Sequence, residues 1–253
     1  VKLLAIETST RNLGSALWDE GAPVASFSMV AGARHAEVLL PAIDWLCRQA
    51  NWSVGDIEAV AVDNGPGLFT GLRVGLATAQ AIAAARGLPA VGVSSLEALA
   101  HRQRRRPGLL AAVVDARRGE VFWSLYRSDG QDLEQLRNPA VASPEALAGE
   151  LATVARQHNE EREATSGGTC RVLAVGDGAW RYRDLLAEAG SEVAGPADMW
   201  PSADTVAELG WERLAEAGAP TGPLLPAYLR HADVRIGWEQ VSGRVGAPGG
   251  AAQ

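Results

Sequence analysis

Several residue groups in this chain have the types and spacing to do chemistry. The stretch Asp63-Asn64-Gly65-Pro66-Gly67-Leu68-Phe69-Thr70-Gly71-Leu72-Arg73-Val74-Gly75 joins a short apolar run, Ala59–Val62, to a helix expected from about Thr70. Glycines there supply backbone angles that other residues resist, and they let an anion or another chain approach the amides at a helix start. The turn Glu7-Thr8-Ser9-Thr10 offers hydroxyls and amides to a phosphate, with Thr8, Ser9 and Thr10 as the candidate contacts. The same residues also make an ordinary hairpin. Glu7 and Asp63 end neighbouring expected strands, where carboxylates can converge with or without catalysis. His35 alone is a candidate metal ligand, but a metal needs several converging ligands. The other histidines, His101, His158 and His231, lie in polar or terminal segments without matching spacing. Cys47 and Cys170 have neither metal spacing nor the setting of a structural disulfide. No metal site and no catalytic residue is expected.

Composition narrows the classes. A chain of 253 residues, 47% hydrophobic, can bury a sizeable core in one large or two small domains. A net charge of −7 argues against nucleic-acid binding by the whole surface. One local exception is His101-Arg102-Gln103-Arg104-Arg105-Arg106, read either as a solvated loop or as a phosphate contact that adds to a partner's RNA surface. No apolar run approaches the ~20 residues of a membrane span, and the first residues carry no secretory pattern. A reduced cytoplasmic protein is expected, with no membrane partner.

The elements that must position these groups read as two similar series. Strands are expected at 2–6, 13–18 and 24–29, a helix at 36–50, a strand at 59–63, a helix at 70–86 and a strand at 90–93. Arg86-Gly87-Leu88-Pro89 stops the second helix, and Ser94 with Glu97 in capping-box spacing opens a further short one. The second half follows with strands at 110–115, 120–127 and 136–141, a helix from 143 to about 157 and a strand at 171–175. A helix at 183–189, a strand at 192–194 and a helix at 203–217 complete it. The polar, Gly-rich segment 158–169 reads as a mobile insertion. The repeated order points to an α/β fold of duplicated ribonuclease-H-like lobes, as in the actin, hexokinase and Hsp70 (ASKHA) superfamily. The expected lobes are 1–106 and 107–235, with the return of the last helix to the first lobe as one reading, followed by a flexible tail, 236–253. In that superfamily the first hairpin turn of each lobe holds ATP phosphates. The second lobe offers Asp115-Ala116-Arg117-Arg118-Gly119-Glu120, where paired glycines would be expected and two arginines make the turn bulky. Gly176-Asp177-Gly178-Ala179-Trp180 resembles an adenine-pocket turn, into which Trp180 and Arg181 fit poorly.

Two helices carry more small or apolar surface than one core needs. Ala36, Leu39, Leu40, Ile43, Leu46 and Cys47 form one stripe, and Val38, Ala42 and Trp45 a second. Gly71, Gly75, Ala79 and Ala83 recur every four residues, leaving one face of the next helix nearly bare. Such a face serves either tight packing within the chain or close approach by a partner.

In order, Leu4–Thr10, Arg34–Pro41, Gly65–Gly75, Val93–Leu99, Asp115–Phe122 and Leu225–Arg230 resemble the TsaB (YeaZ) family, the dimerisation subunit of the bacterial tRNA threonylcarbamoyladenosine synthase complex. The resemblance spans roughly residues 3–230. It implies a non-catalytic scaffold and activator for modification of the adenosine next to the anticodon. The family's catalytic paralogue, TsaD, carries an H-x-x-x-H metal pair and glycine turns; Ser94-Ser95-Leu96-Glu97-Ala98 and Ala116-Arg117-Arg118 replace them here. Glu7 stands where many members carry Asp. The implied partners are a TsaD-like subunit, a small TsaE-like P-loop ATPase, tRNA through the complex, and a second copy when the chain is alone. The implied interface is His35, Val38, Leu39, Ala42, Trp45, Phe69, Leu72, Arg73, Gly75, Leu76 and Ala79. ATP or ADP is expected at the complex interface and none in the isolated chain. The alternatives are a nucleotide-dependent phosphotransferase of the same fold and, more remotely, a metallopeptidase.

Overall fold

The computed structural model describes residues 1–163, 170–217 and 224–229. The expected tail at 236–253, the 164–169 part of the polar insertion, His231 and Arg230 lie outside the described residues. Strands β1 (Leu3–Glu7), β2 (Asn12–Asp19) and β3 (Ala22–Val30) lead into α1 (His35–Gln49), β4 (Ala59–Gly65), α2 (Phe69–Arg86), β5 (Ala90–Ser94) and α3 (Ser95–His101). The series then recurs as β6 (Gly108–Arg117), β7 (Glu120–Ser128), β8 (Leu133–Ala142), α4 (Pro144–Glu163) and β9 (Leu173–Val175). It continues through α5 (Asp177–Arg181), α6 (Arg183–Glu188), β10 (Glu192–Val193) and α7 (Ala203–Ala217). Each series makes one five-stranded sheet, β3-β2-β1-β4-β5 and β8-β7-β6-β9-β10. In both, the first three strands pair antiparallel and the last two add in parallel. This is the ribonuclease-H-like order twice over, the duplicated α/β fold expected from the sequence.

Local chemistry explains the boundaries. Hairpins at Glu20-Gly21 and Arg118-Gly119 hold positive φ at both central residues, as the tight turn between twisted strands requires. Gly87 ends α2 with φ 63°, a left-handed cap. Two expectations change. Ser94 is the backbone cap of α3, but its hydroxyl makes no capping bond, and Glu97 pairs instead with Arg213 of α7. The expected insertion is helical up to Glu163, because α4 simply continues.

Alternation along the central strands builds four apolar layers. Leu4 and Ile6 face α1 and α2, with Leu39, Ile43, Leu46, Leu76 and Ala79. Leu3 and Ala5 face the opposite way, onto Val206, Ala207 and Leu209 of α7. In the second sheet, Leu109, Ala111 and Val113 face α4 to α6, whereas Leu110, Ala112 and Val114 receive Leu96, Leu99 and Ala100 of α3. Each half thus lends its last helix to the other sheet. The approach of α7 is close because small residues meet: a Cβ on Gly210 would stand 2.4 Å from the Ala61 Cβ. Gly210→Ala should therefore destabilise the chain by about 1–3 kcal/mol, overriding the helix-propensity gain of ~1 kcal/mol. Urea denaturation of the variant checks this; a rise in stability would mean that α7 sits farther from the sheet.

Candidate functional site

The small-residue face of α2 lies on the chain's own first strand and turn. A Cβ on Gly71 would stand 2.1 Å from the Thr8 carbonyl oxygen, and one on Gly75 2.2 Å from the Thr8 hydroxyl. Ala79 is fully buried in the core of the first sheet. Of the two uses expected of the bare stripe, the structure shows packing within the chain, so Gly75 and Ala79, named for the interface, are core residues instead. Leu72 and Leu76 are also turned inward, as are Leu39 and Ala42 on α1. His35 is buried too, its Nε2 lying 3.1 Å from the Asn12 carbonyl oxygen.

The phosphate-contact expectation for Thr8, Ser9 and Thr10 meets the same packing. All three are buried. The Thr8 hydroxyl donates to the Gly71 carbonyl at 2.9 Å, and the Ser9 amide and hydroxyl both donate to Glu7 Oε1 at 2.7 Å. Thr10 Oγ1 accepts from the Asn12 amide at 3.2 Å. Gly67 packs directly on this turn, and its added Cβ would meet the Ser9 carbonyl at 2.1 Å. These residues do not fit a nucleotide phosphate.

Beneath the turn, Glu7 and Asp63 converge from the ends of the paired strands β1 and β4. Both side chains are fully buried, and Glu7 Oε2 and Asp63 Oδ2 lack hydrogen-bond partners. Burial, reinforced by the Asp63 charge, holds Glu7 well above the ordinary carboxyl range. Burial pushes Asp63 up to about 7, against the lowering effect of the Gly65 amide that donates to it at 2.8 Å. The second lobe places Asp115 and Asp177 at the matching ends of β6 and β9. There the Asp115 amide donates to Asp177 Oδ1 at 2.9 Å, and burial raises Asp177 to about 6. Arg117 and Arg181 neutralise Asp115 at 3.0 and 3.5 Å. The expected adenine-pocket turn is the helix α5, whose glycines press on β6: a Cβ on Gly176 would stand 2.2 Å from the Val113 carbonyl.

Four of the named interface residues keep surface. Val38 is half-buried, whereas Trp45 (51% exposed), Phe69 (44%) and Arg73 are open. Leu40, grouped with the first apolar stripe and not among the named interface residues, is 57% exposed on α1. The segment 224–229 returns across α2 and extends this ridge. The Ala227 amide donates to the Asn64 carbonyl at 2.8 Å, and Gln80 Nε2 to the Leu224 carbonyl at 2.9 Å. Tyr228 stacks on Phe69 with ring centroids 5.4 Å apart, and the Arg73 guanidinium lies over Phe69 at 3.8 Å. Leu225 and Tyr228 stay exposed beside them. Sequence spacing alone could not attach this segment to α2.

The arginine run is not a free loop. Arg102 meets Asp198 at 3.6 Å, Arg104 meets Glu208 at 2.6 Å, and Arg106 pairs with Glu192. Three of its cations are thus tied to acids of the second half. Among the described residues, no helix is long and apolar enough to cross a membrane.

Residues 29–238 match the family described as TsaD, tRNA N6-adenosine threonylcarbamoyltransferase. The chain is 30% identical over 253 residues to the tRNA threonylcarbamoyladenosine biosynthesis protein TsaB of Escherichia coli strain K12, covering 96% of this chain and all of that one. It is 28% identical over 239 residues to the Bacillus subtilis strain 168 protein of the same description, covering 93% and 97%. The solved structure of YeaZ from Pseudomonas aeruginosa superposes with a TM-score of 0.72 at 29% identity, covering 90% of this chain and 99% of that one.

Two outcomes follow from the geometry. Gly75→Leu should lower stability by about 3 kcal/mol or leave the chain unfolded, because the side chain must enter the Thr8 contact. A folded, equally stable variant in calorimetry would show that α2 stands off β1. The folded state holds the Asp63 proton from its ordinary value of 3.8 up to about 7, so stability is fullest below that window and is lost as pH rises through it. Asp63→Asn should flatten that slope and stabilise the chain at pH 8 by roughly 2–4 kcal/mol. Denaturation measured from pH 5 to pH 8 decides it; an unchanged slope would place the buried charge elsewhere.

Proposed function

The chain belongs to the TsaB (YeaZ) family of tRNA threonylcarbamoyladenosine biosynthesis proteins, and from that premise we propose that it is a non-catalytic scaffold subunit that pairs with a TsaD-like catalytic paralogue. The observation that supports this most is the exposed apolar surface of α1 and α2, namely Leu40 and Trp45 on the first and, on the second, Phe69 stacked by Tyr228 of the returning segment, where Leu225 is also exposed. It is apolar and aromatic, and it lies beside Arg73. Aromatic anchors beside an arginine are the composition of an interface centre. On this reading the catalytic subunit transfers the threonylcarbamoyl group to the adenosine, and this chain stabilises and shapes that subunit. A TsaE-like ATPase and tRNA engage the assembled cytoplasmic complex, and any ATP or ADP is held there with groups the partner supplies. Without the paralogue, a second copy covers the ridge.

A phosphotransferase reading would ask the Thr8–Thr10 turn to hold phosphate. It is the weaker reading, because the hydroxyls there are engaged within the chain beside two buried carboxyls. Calorimetry of the chain with its host's catalytic paralogue, run alongside threonylcarbamoyl transfer to tRNA, separates the two. Tight binding with activity only in the mixture supports the scaffold. No binding, or ATP turnover by this chain alone, overturns it. Trp45→Ala and Phe69→Ala should each raise the Kd of the pair about 30-fold while leaving the fold intact. Unchanged affinity in both would move the interface off this ridge.

A further inference from the structure

The exchange of the last helices brings together residues more than a hundred positions apart in sequence. His101 ends α3, and Glu208 and Glu212 stand one turn apart on α7. A ligand atom from each of the three lies within 4.8 Å of the others. The group borders a cavity of about 550 Å³ between the lobes, lined also by Glu97, Arg104, Tyr126, Asp132 and Arg213. From this geometry we infer a divalent transition-metal site, of the zinc class, formed by His101 Nε2 and one carboxylate oxygen each from Glu208 and Glu212.

Three observations carry the assignment. First, His101 is only 8% exposed, and its Nε2 is turned toward the Glu208 and Glu212 carboxylates. A cation shared by this nitrogen and the two carboxylates would satisfy all three groups at once. Second, Nε2 stands 3.3 Å from Glu208 Oε2. Two ligands about 2.1 Å from a tetrahedral metal stand about 3.4 Å apart, so that spacing already suits a shared ion. Third, the surrounding charges are arranged as an outer shell. Arg104 binds Glu208 Oε1 at 2.6 Å, which leaves Oε2 free for the metal. Arg213 is taken by Glu97, so Glu212 has no ion-pair partner among the described residues.

The exposed Glu212 side chain can rotate to close the third bond, and the cavity leaves room for water as the fourth ligand. Imidazole with carboxylates favours zinc-class ions over magnesium or calcium. An ion there would pin α3 to α7, the two helices that cross between lobes.

The test uses the full chain, dialysed against a chelator and titrated with Zn²⁺ by calorimetry, then with Co²⁺ followed by visible absorption. We expect one ion per chain at low-micromolar Kd, a rise in Tm, and the intense visible bands of four-coordinate Co²⁺. His101→Gln and Glu212→Gln should each weaken binding at least tenfold and abolish the Tm gain. Glu212 is exposed, so its variant carries the test if the His101 variant fails to fold. Absence of saturable binding overturns the site, as does full-strength binding in both variants, which would place the ion elsewhere. The measurement is made on the isolated chain, so its result does not depend on any partner.

Discussion

The end of the first strand is where the structure is most tightly constrained. Thr8 and Ser9 lie directly under Gly67, Gly71 and Gly75, with added Cβ positions 2.1 to 2.2 Å from their oxygens. No side chain can enter that contact, so α2 sits flush on β1 and its rotation is set. The turn is buried as a result, its hydroxyls turn inward, and Glu7 and Asp63 are sealed beneath it. The second lobe repeats the device with Gly176 and Gly178 against Val113, Val114 and Asp115. In both lobes a strand-end acid pair is shut away from water, which is why burial dominates the titration of Glu7, Asp63 and Asp177. A turn in this position can hold an anion only if glycines leave its amides open. Here the glycines admit the chain's own backbone instead.

The exchanged helices impose a second constraint. Because α3 packs on the second sheet and α7 on the first, the lobes share two apolar layers rather than meeting at a polar seam. The arginine run after α3 follows the same route, its cations reaching the loop at Asp198, α7 and β10. The Arg104–Glu208 pair is partly buried, so removing one partner leaves a charge in low dielectric, whereas Arg106–Glu192 is exposed and contributes little. The juxtaposition of His101 with Glu208 and Glu212 is a product of this crossing and of nothing local.

Rotation of α1 and α2 onto the sheet decides which surface remains for others. Once Leu39, Ala42, Leu72 and Leu76 are used in the core, the outward residues are Leu40, Trp45, Phe69 and Arg73, joined by Leu225 and Tyr228. Scattered apolar surface is ordinary in a folded chain, but the stacked, cation-capped aromatic pair that Phe69 and Arg73 of α2 make with Tyr228 is organised. The returning segment matters twice, holding Asn64 and Gln80 by hydrogen bonds and widening the ridge.

Local residue chemistry determined most of the architecture. The strand-strand-strand-helix order, its repetition, the glycine stop of α2 and the proline start of α4 follow from periodicity and capping, which act within a few residues. The ordered motifs were enough to point to the family. Sequence could also say that the α2 face is bare, but not what lies against it, since a small-residue stripe serves a sheet or a partner equally well. Only the tertiary structure settled that, by placing Thr8 there. It likewise decided that the Ser94 hydroxyl would make no capping bond, that Glu97 would pair with Arg213, and that His101 would be buried. Those outcomes depend on contacts between residues far apart in the chain, whose distances follow from helix exchange and sheet packing and leave no periodic trace in the sequence.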